Sequence, residues 1–423
     1  MQSFFEKLKL ALSDKAIFRR ILFTFGALIV FRLLTTIPIP GIDIVKLEAF
    51  FSNNQFLGLL NLFSGGGLSN LSVVMLGVGP YITGSIIMQL LTMMSPKLKA
   101  LYHEEGEAGR ARFTQYSRRL TVPLALVQAF GFLTLLSRQG VLGSLSAFDM
   151  GLNILIVTAG SLFLMWLGEI ITEFGIGNGL SLLIFGGIVA NLPTKIGQLA
   201  YTFDPSQIPL YIGFIAIALF VIFAVVLITE AERAVPVTYA KRVRGAKVYG
   251  GVSTYLPLRV NQGGVIPIIF ALSILLFPQM IFQFLSTVSN ATIADLAGKG
   301  LTLLSNSWFH SIAYFVLVFV FTYFYTAVTF EPEAIATNLQ KNGAFIPGVR
   351  PGQSTAEHLS KIVTRITLVG AVFLGLIAVL PLVMQAATGI TALSIGGTAL
   401  LIVVSVVLDL VKKIEAQVSM REY

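Results

Sequence analysis

Leu57–Lys97 reads LGLLNLFSGGGLSNLSVVMLGVGPYITGSIIMQLLTMMSPK and joins two halves that do not belong together in an ordinary membrane helix. The first, Leu57–Leu68, is a short apolar segment interrupted by Ser64 and the run Gly65-Gly66-Gly67. It is too short to cross a bilayer, where about 20 apolar residues are needed. The second, Leu71–Met94, is long enough. A half-length segment leading into a full span puts non-helical backbone near membrane depth. That is tolerated only where protein buries it or where it lines a water-filled cavity. The rest of the chain has to build something around this stretch, and a pore is the natural candidate.

Composition sets the class. The 423 residues are 55% hydrophobic and only 12% charged, against roughly 25% charged in soluble domains. This is the signature of an integral membrane protein. With no cysteine there is no disulfide framework and no thiolate metal site. His103, His310 and His358 are too scattered for a metal cluster.

The N-terminal segment Met1–Arg20 is amphipathic and carries Lys7, Lys9, Lys15, Arg19 and Arg20. No small-residue cleavage site follows its apolar run. It is expected to be retained and to lie as an interfacial helix on the cytoplasmic face. Apolar runs follow at Ile21–Ile37, Leu71–Met94, Leu120–Leu136, Leu152–Ile171, Leu180–Ala200, Ile208–Ile228, Val265–Leu285, His310–Phe330, Ile362–Val383 and Ile390–Leu410. By length they predict about ten helical spans.

Orientation follows from the cations. Apart from Arg32, Lys46, Arg138, Lys195 and Lys299, they fall in the N-terminus, Pro96–Arg119, Ala231–Asn261, Glu331–Arg365 and the tail after Leu410. An even number of spans separates each consecutive pair of these segments. All can then face one side, which the positive-inside rule makes the cytoplasm, with both termini inside. Of the two large loops, Glu230–Gln262 is basic, with β-branched and aromatic residues around Gly245 and Gly250-Gly251, a pattern that fits a β-hairpin. Glu331–Arg365 carries the turn run Gly343–Gly352 between helical pieces. The cations suit either the ordinary cytoplasmic excess of a multispan protein or the docking of large partners, nucleic acid among them. Charge alone does not choose.

Catalytic signatures are absent. His103-Glu104-Glu105-Gly106-Glu107 lacks the second histidine of a zinc-protease helix. There is no phosphate-binding Gly-rich loop and no nucleophile elbow. The run Gly175–Gly179 reads as a tight turn between two spans, because it follows a span and not a strand. Polar residues inside the spans are the remaining place to look, namely Arg32, Gln89, Gln128, Glu169 and Glu173, with Glu230 and Asp409 at span ends. Glu169 and Glu173 share one helix face at i, i+4, and Gly175 follows at once. They are expected to cap or snorkel rather than to form an ion-coupling site.

Ile37-Pro38-Ile39-Pro40-Gly41-Ile42, NLFSGGGLSNLS and GPYITGSIIMQLL resemble the SecY family, the channel-forming subunits of protein-conducting translocons. The resemblance continues through FLMWLGEIITEFGIGNGLSLLIFGGIVANLP, VTYAKR and STYLPLRVNQGGVIPIIFALSILLFP. It runs on through NGAFIPGVRPGQSTAEHL and IGGTALLIVVSVVLDL, covering nearly the whole chain in order.

The resemblance implies an all-α membrane protein of ten transmembrane helices in two inverted, pseudo-symmetric halves around an hourglass pore. The halves would be residues 21–202 and 203–410, between an interfacial helix at 1–20 and a cytoplasmic tail at 411–423. Residues 57–70 would be the plug, with Leu60, Phe63, Ser64, Gly65, Gly66, Gly67 and Leu68. Val78, Ile82, Leu180, Ile184, Ile269 and Ile402 would form the apolar ring at the constriction, where branched aliphatics can seal by dewetting. Ile86, Gln89, Gln128 and Ser273 would belong to the lateral gate. Lys241, Arg242, Arg244 and Arg350, in the loops 231–262 and 331–365, would dock the SecA motor ATPase and the ribosome, including its RNA. The small subunits SecE and SecG, signal sequences, nascent polypeptides and membrane lipid complete the implied partners.

The implied function is a passive, gated channel in the bacterial plasma membrane. It would pass unfolded secretory chains across and release membrane segments sideways into lipid, with no cofactor and with ATP chemistry supplied by SecA. The rival from another class is a secondary transporter of a small solute with a midplane site between inverted repeats. The lack of a carboxylate cluster argues against it.

Overall fold

The computed structural model describes residues 13–41, 61, 64–138, 140–142, 146–201, 205, 208–240, 242–244, 247–249, 253–286, 291–388 and 396–419. Helix α1 spans Lys15–Leu34. Asp14 caps it, its carboxylate accepting from the amides of Ala16 at 2.7 Å and Ile17 at 3.2 Å. Lys15–Arg20, read from sequence as part of an interfacial segment, is therefore continuous with the first span. Next come α2 (Gly79–Met94), α3 (Pro96–His103), α4 (Gly106–Arg138), α5 (Ala147–Phe174), α6 (Gly179–Tyr201) and α7 (Ile208–Glu230). Strands β1 (Glu232–Tyr239), β2 (Arg242–Arg244), β3 (Lys247–Tyr249) and β4 (Ser253–Arg259) follow. The chain then forms α8 (Ile266–Leu285), α9 (Ala291–Ser305), α10 (Ser307–Thr329), α11 (Pro332–Lys341), β5 (Ala344–Phe345), α12 (Gln353–Thr388) and α13 (Gly396–Ser419).

The distribution of side chains identifies the solvent. On α1 the exposed face carries Leu22, Phe25, Ile29 and Leu33, while Ile17, Thr24, Ala27 and Phe31 are buried. On α7 the exposed residues include Ile212, Ile215, Leu219, Phe220 and Phe223. On α5 the buried stripe mixes Asn153, Thr158, Ser161 and Gly168 with Val157, Leu164, Leu167 and Ile171. Large apolar groups on the outer surface, with small and polar residues admitted among the apolar ones inside, is the arrangement expected when hydrocarbon surrounds the protein. Among the described residues, Gly106–Ser137, Ala147–Phe174, Tyr211–Glu230, Trp308–Lys341 and Gln353–Leu380 are long and apolar enough to cross a membrane. Gly179–Pro193 and Ile266–Leu275 are shorter apolar helices. The remaining apolar runs fall mainly on α1, α2 and α13, with residues 390–395 of the last run lying outside the described residues.

One boundary differs from the sequence reading. The second span begins as a helix at Gly79, with Pro80 in its first turn, and not at Leu71. Leu71–Val78 is a succession of turns in which Leu71 and Gly77 have positive φ, 40° and 57°. Hydropathy registers composition, and these eight residues are apolar without being helical.

The chain packs as two units, Met1–Phe214 with Leu276–Asn306 and Ile390–Tyr423, and Ile215–Leu275 with Ser307–Gly389. In the first, α2 packs on α4, α4 on α5, α5 on α6, and α6 on α13. A core of Leu68, Leu71, Met75, Phe132, Leu133, Leu136 and Val157 gathers around the turn segment. In the second, α10 lies along α12.

The second unit also holds a three-stranded sheet in the order β4-β1-β5, so the class is all-α in its spans only. β1 and β4 pair antiparallel with Val235 opposite Leu256 and Val237 opposite Thr254. β5 joins β1 only at Thr238 and Tyr239, which leaves Pro236 on an open edge where its missing N–H costs nothing. The hairpin expected in the first loop is present, as β1 with β4 and, between them, β2 with β3.

Candidate functional site

The stretch from Ser64 to Gly79 answers the question the sequence posed about non-helical backbone. Its main-chain groups are paired locally. Gly67 N–H donates to Ser64, Ser72 to Gly67, Met75 to Ser72, Gly77 to Val74 and Gly79 to Leu76. A short exchange with the end of the first span adds Ile39 N–H to Leu71 and Val73 N–H to Ile37, forming an antiparallel bridge between Pro38 and Ser72. Side chains add further bonds. Ser64 Oγ accepts from Leu68 N–H at 2.9 Å, and Asn61 Oδ1 accepts from Ser69 N–H at 2.9 Å. Ser161 Oγ of α5 donates to the Gly77 carbonyl at 2.9 Å, and Asn153 Nδ2 donates to Pro40 at 3.4 Å. Apart from Ser69 and Asn70, which are exposed, the segment is buried or half-buried by protein, the condition under which irregular backbone survives at membrane depth.

Its glycines are there for close approach. A Cβ on Gly187 of α6 would overlap the Cα of Gly65, and one on Gly65 would overlap the Phe31 ring of α1. Gly65 and Gly66 also have φ of 64° and 88°, a conformation that costs glycine little. The position a Gly66 side chain would take lies 3.2 Å from Arg32 Nη1 and 3.1 Å from Asn191 Nδ2. Arg32 Nη1 donates to the Gly65 carbonyl at 3.4 Å. Of the expected plug residues, Ser64, Gly65, Gly66, Gly67 and Leu68 form this buried turn. Leu60 and Phe63 lie outside the described residues.

The other expected positions fall as follows. Val78, Ile82, Ile184 and Ile402 are buried and Leu180 is half-buried, all within the first unit. Leu180 lies over Gly168 of α5, where a Cβ would stand 2.9 Å from its Cδ2. Ile269 is buried in the second unit. Ile86 is buried and Gln89 and Gln128 are half-buried. Gln89 Oε1 is enclosed without a hydrogen-bond partner among the described residues. Ser273 Oγ donates to the Ile269 carbonyl of its own helix at 2.9 Å.

Glu169 adds to the sequence reading. Its Oε1 accepts from Arg118 Nε at 2.6 Å, an inter-helix partner that joins α5 to α4 and that the expectation of a capping or snorkelling group did not include. The partners are 51 residues apart, and local sequence carries no signal for that pair. Glu173 is exposed. The Gly175–Gly179 run is the tight turn expected, with Gly177 at φ 91° and Asn178 Oδ1 accepting from the amides of Leu180 and Ser181.

In the second unit the two large loops share one core. Val235, Val237 and Leu258 of the sheet pack with Ala344, Ile346, Leu359 and Val363. Arg350 stands exposed on the turn between β5 and α12, flanked by Gly348 and Gly352 at φ 82° and 96°. Its carbonyl accepts from Thr355 Oγ1 at 2.9 Å, which fixes the turn. Arg242 and Arg244 lie on β2. Lys241 lies outside the described residues.

A model of the SecY family matches residues 72–411. The protein translocase subunit SecY of Streptomyces coelicolor is 44% identical, over 96% of this chain and 95% of its own length. That of Thermotoga maritima is also 44% identical, over 96% and 93%.

The chain belongs to the SecY family.

Solved structures carry the fold. One is a SecY channel whose plug domain stabilises the closed state and maintains a membrane seal. It matches with a TM-score of 0.65 and 19% identity, covering 97% of this chain and 95% of that one. Sec61 in the canine ribosome–channel complex matches with a TM-score of 0.62 and 18% identity, over 97% and 95%. The fold is that of the SecY and Sec61 channels, and the chain is a multi-pass membrane protein.

Proposed function

We propose that this SecY-family chain is the channel-forming subunit of a protein translocase. In this reading it passes unfolded polypeptides across the membrane and releases apolar segments into lipid. The observation that carries the reading is the buried glycine turn at Ser64–Gly79, irregular backbone enclosed by protein among membrane helices. A channel that must close around nothing and open around a chain needs such a segment ahead of a span.

Residues 21–202 and 203–410 form the two halves, and 57–70 is the plug. Val78, Ile82, Leu180, Ile184, Ile269 and Ile402 are the constriction, whose branched aliphatic side chains seal by dewetting without binding the chain. α2, with Ile86 and Gln89, and α8, with Ser273, flank the lateral gate, and Gln128 contributes to its polar cluster. Both termini and both large loops face the cytoplasm of a bacterial plasma membrane. Arg350, held exposed on its braced turn, and the basic residues Lys241, Arg242 and Arg244 dock SecA and the ribosome. A cationic surface suits ribosomal RNA and acidic protein alike. SecA supplies ATP hydrolysis, and SecE and SecG complete the assembly.

The test is reconstitution. Purified protein with the small subunits is placed in liposomes with SecA, ATP and a signal-bearing precursor. ATP-dependent protection of the precursor from added protease is expected. Folded protein that protects no precursor, yet takes up a small solute saturably along an ion gradient, establishes the transporter instead.

A further inference from the structure

The run Gly65-Gly66-Gly67 has no side chains, so whatever keeps it seated has to come from its neighbours. On one side the contact is backbone against backbone, Gly65 on Gly187. On the other stand two polar groups. Arg32, in the last turn of α1, is half-buried, and its guanidinium donates to the Gly65 carbonyl. Asn191 is one helical turn beyond Gly187 on α6, which puts it on the same face. Its amide and the Arg32 guanidinium both lie within 3.2 Å of the space a Gly66 side chain would fill.

A cation in the last turn of a helix is favoured by the helix dipole alone. That role is satisfied by a side chain directed anywhere near the helix end. It does not require a reach to a carbonyl 33 residues away. An arginine inside a membrane bundle is also costly unless it finds a partner. When the glycine turn leaves, Arg32 and the Gly65 carbonyl both lose theirs.

We infer that Arg32 and Asn191 are a polar latch that holds the glycine turn seated in the resting channel. They are positioning residues, and they set how strong a signal sequence must be to open it. The hold is weak by construction, one 3.4 Å hydrogen bond supported by contact, as befits an element that has to move. This inference rests on the reading of residues 57–70 as a movable plug.

The chain lacks cysteine, so a single Ser64→Cys reporter, nearly isosteric at a buried site, reports whether the turn is seated. Maleimide labelling is measured in resting membranes, alongside translocation of an intact precursor and of one with a defective signal. Arg32→Gln is expected to raise the labelling rate about tenfold and to pass the defective precursor several-fold better than the parent. Arg32→Lys is expected to restore most of the parent behaviour. If Arg32→Gln does not accumulate, Asn191→Ala takes its place in the same assays with the same direction expected. A purely structural role lowers translocation of both precursors together and leaves stringency unchanged, which overturns the latch. Unchanged labelling with normal export does the same while leaving the channel reading intact. Failure of the parent protein to move even the intact precursor brings down the channel reading and the latch with it.

Discussion

Ser161 and Gly77 are joined by a hydrogen bond of 2.9 Å, the serine hydroxyl of α5 donating to a carbonyl in the turn that precedes α2. The bond is buried and ties a rigid membrane helix to backbone that has no helix of its own. Ser161→Ala leaves that carbonyl without its donor. A buried unsatisfied group costs about 1–3 kcal/mol. The expected outcome is a lower apparent unfolding temperature in detergent, with α5 otherwise intact. Gly160→Ala should be worse, because its Cβ would overlap the Val73 carbonyl. It is expected to prevent accumulation of the protein in membranes.

Gly187→Ala tests the seat of the glycine turn. Alanine favours the helix by about 0.8–1 kcal/mol, so α6 itself gains. The added methyl nevertheless overlaps Gly65, and overpacking of this kind costs about 1–3 kcal/mol. The turn should be displaced and resting ion conductance in planar bilayers should rise. Gly197→Ala on the same helix, where the added Cβ meets nothing within 4 Å, should leave conductance at the parent level.

Arg118 and Glu169 are close, but the arginine side chain is 46% exposed and the glutamate 21%. Exposed pairs contribute about 0–1 kcal/mol. A double-mutant cycle with Arg118→Gln and Glu169→Gln, read by thermal unfolding in detergent, should give a coupling energy below about 1 kcal/mol. Polypeptide transport should persist in both single variants, since neither is needed to carry an ion. Loss of transport with intact folding in Glu169→Gln would mark it as part of the mechanism.

Arg350→Glu reverses the charge on an exposed turn whose shape depends on Gly348, Gly352 and the Thr355 hydroxyl, not on the guanidinium. Abundance should be unchanged and SecA-driven export should fall about tenfold or more. Thr355→Val keeps the charge and removes the brace, and a smaller loss of export is expected. Comparison of export rates at matched abundance separates the charge from its presentation.

Much of the helix pattern was legible because a bilayer demands long apolar runs, and among the described residues each of the ten runs lies largely on a helix. The start of α2 was not, since Leu71–Val78 is as apolar as a helix while its turn geometry comes from Leu71, Gly77 and hydrogen bonds to Ile37 and Ile39. The hairpin in the first loop was readable from local composition. The pairing of β1 with Ala344 and Phe345 was not, because it joins segments about a hundred residues apart in the chain. Arg32 and Glu169 were visible as charges inside spans. Their partners, Gly65 and Arg118, are set by packing between helices, which a hydropathy pattern does not encode. The triple glycine marked the important segment, but only the close approach of Gly187 and Phe31 explains why glycine is required there.

The most direct measurement places a photo-crosslinking amino acid at Ile82, Ile184 or, as a lipid-side control, Val127, which is exposed on α4. A precursor is then stalled part-way by a folded domain at its end. Adducts with the precursor at Ile82 and Ile184, and none at Val127, are the expected result. A stalled precursor that forms no adduct at either isoleucine would contradict the claim that the translocating chain passes through this ring.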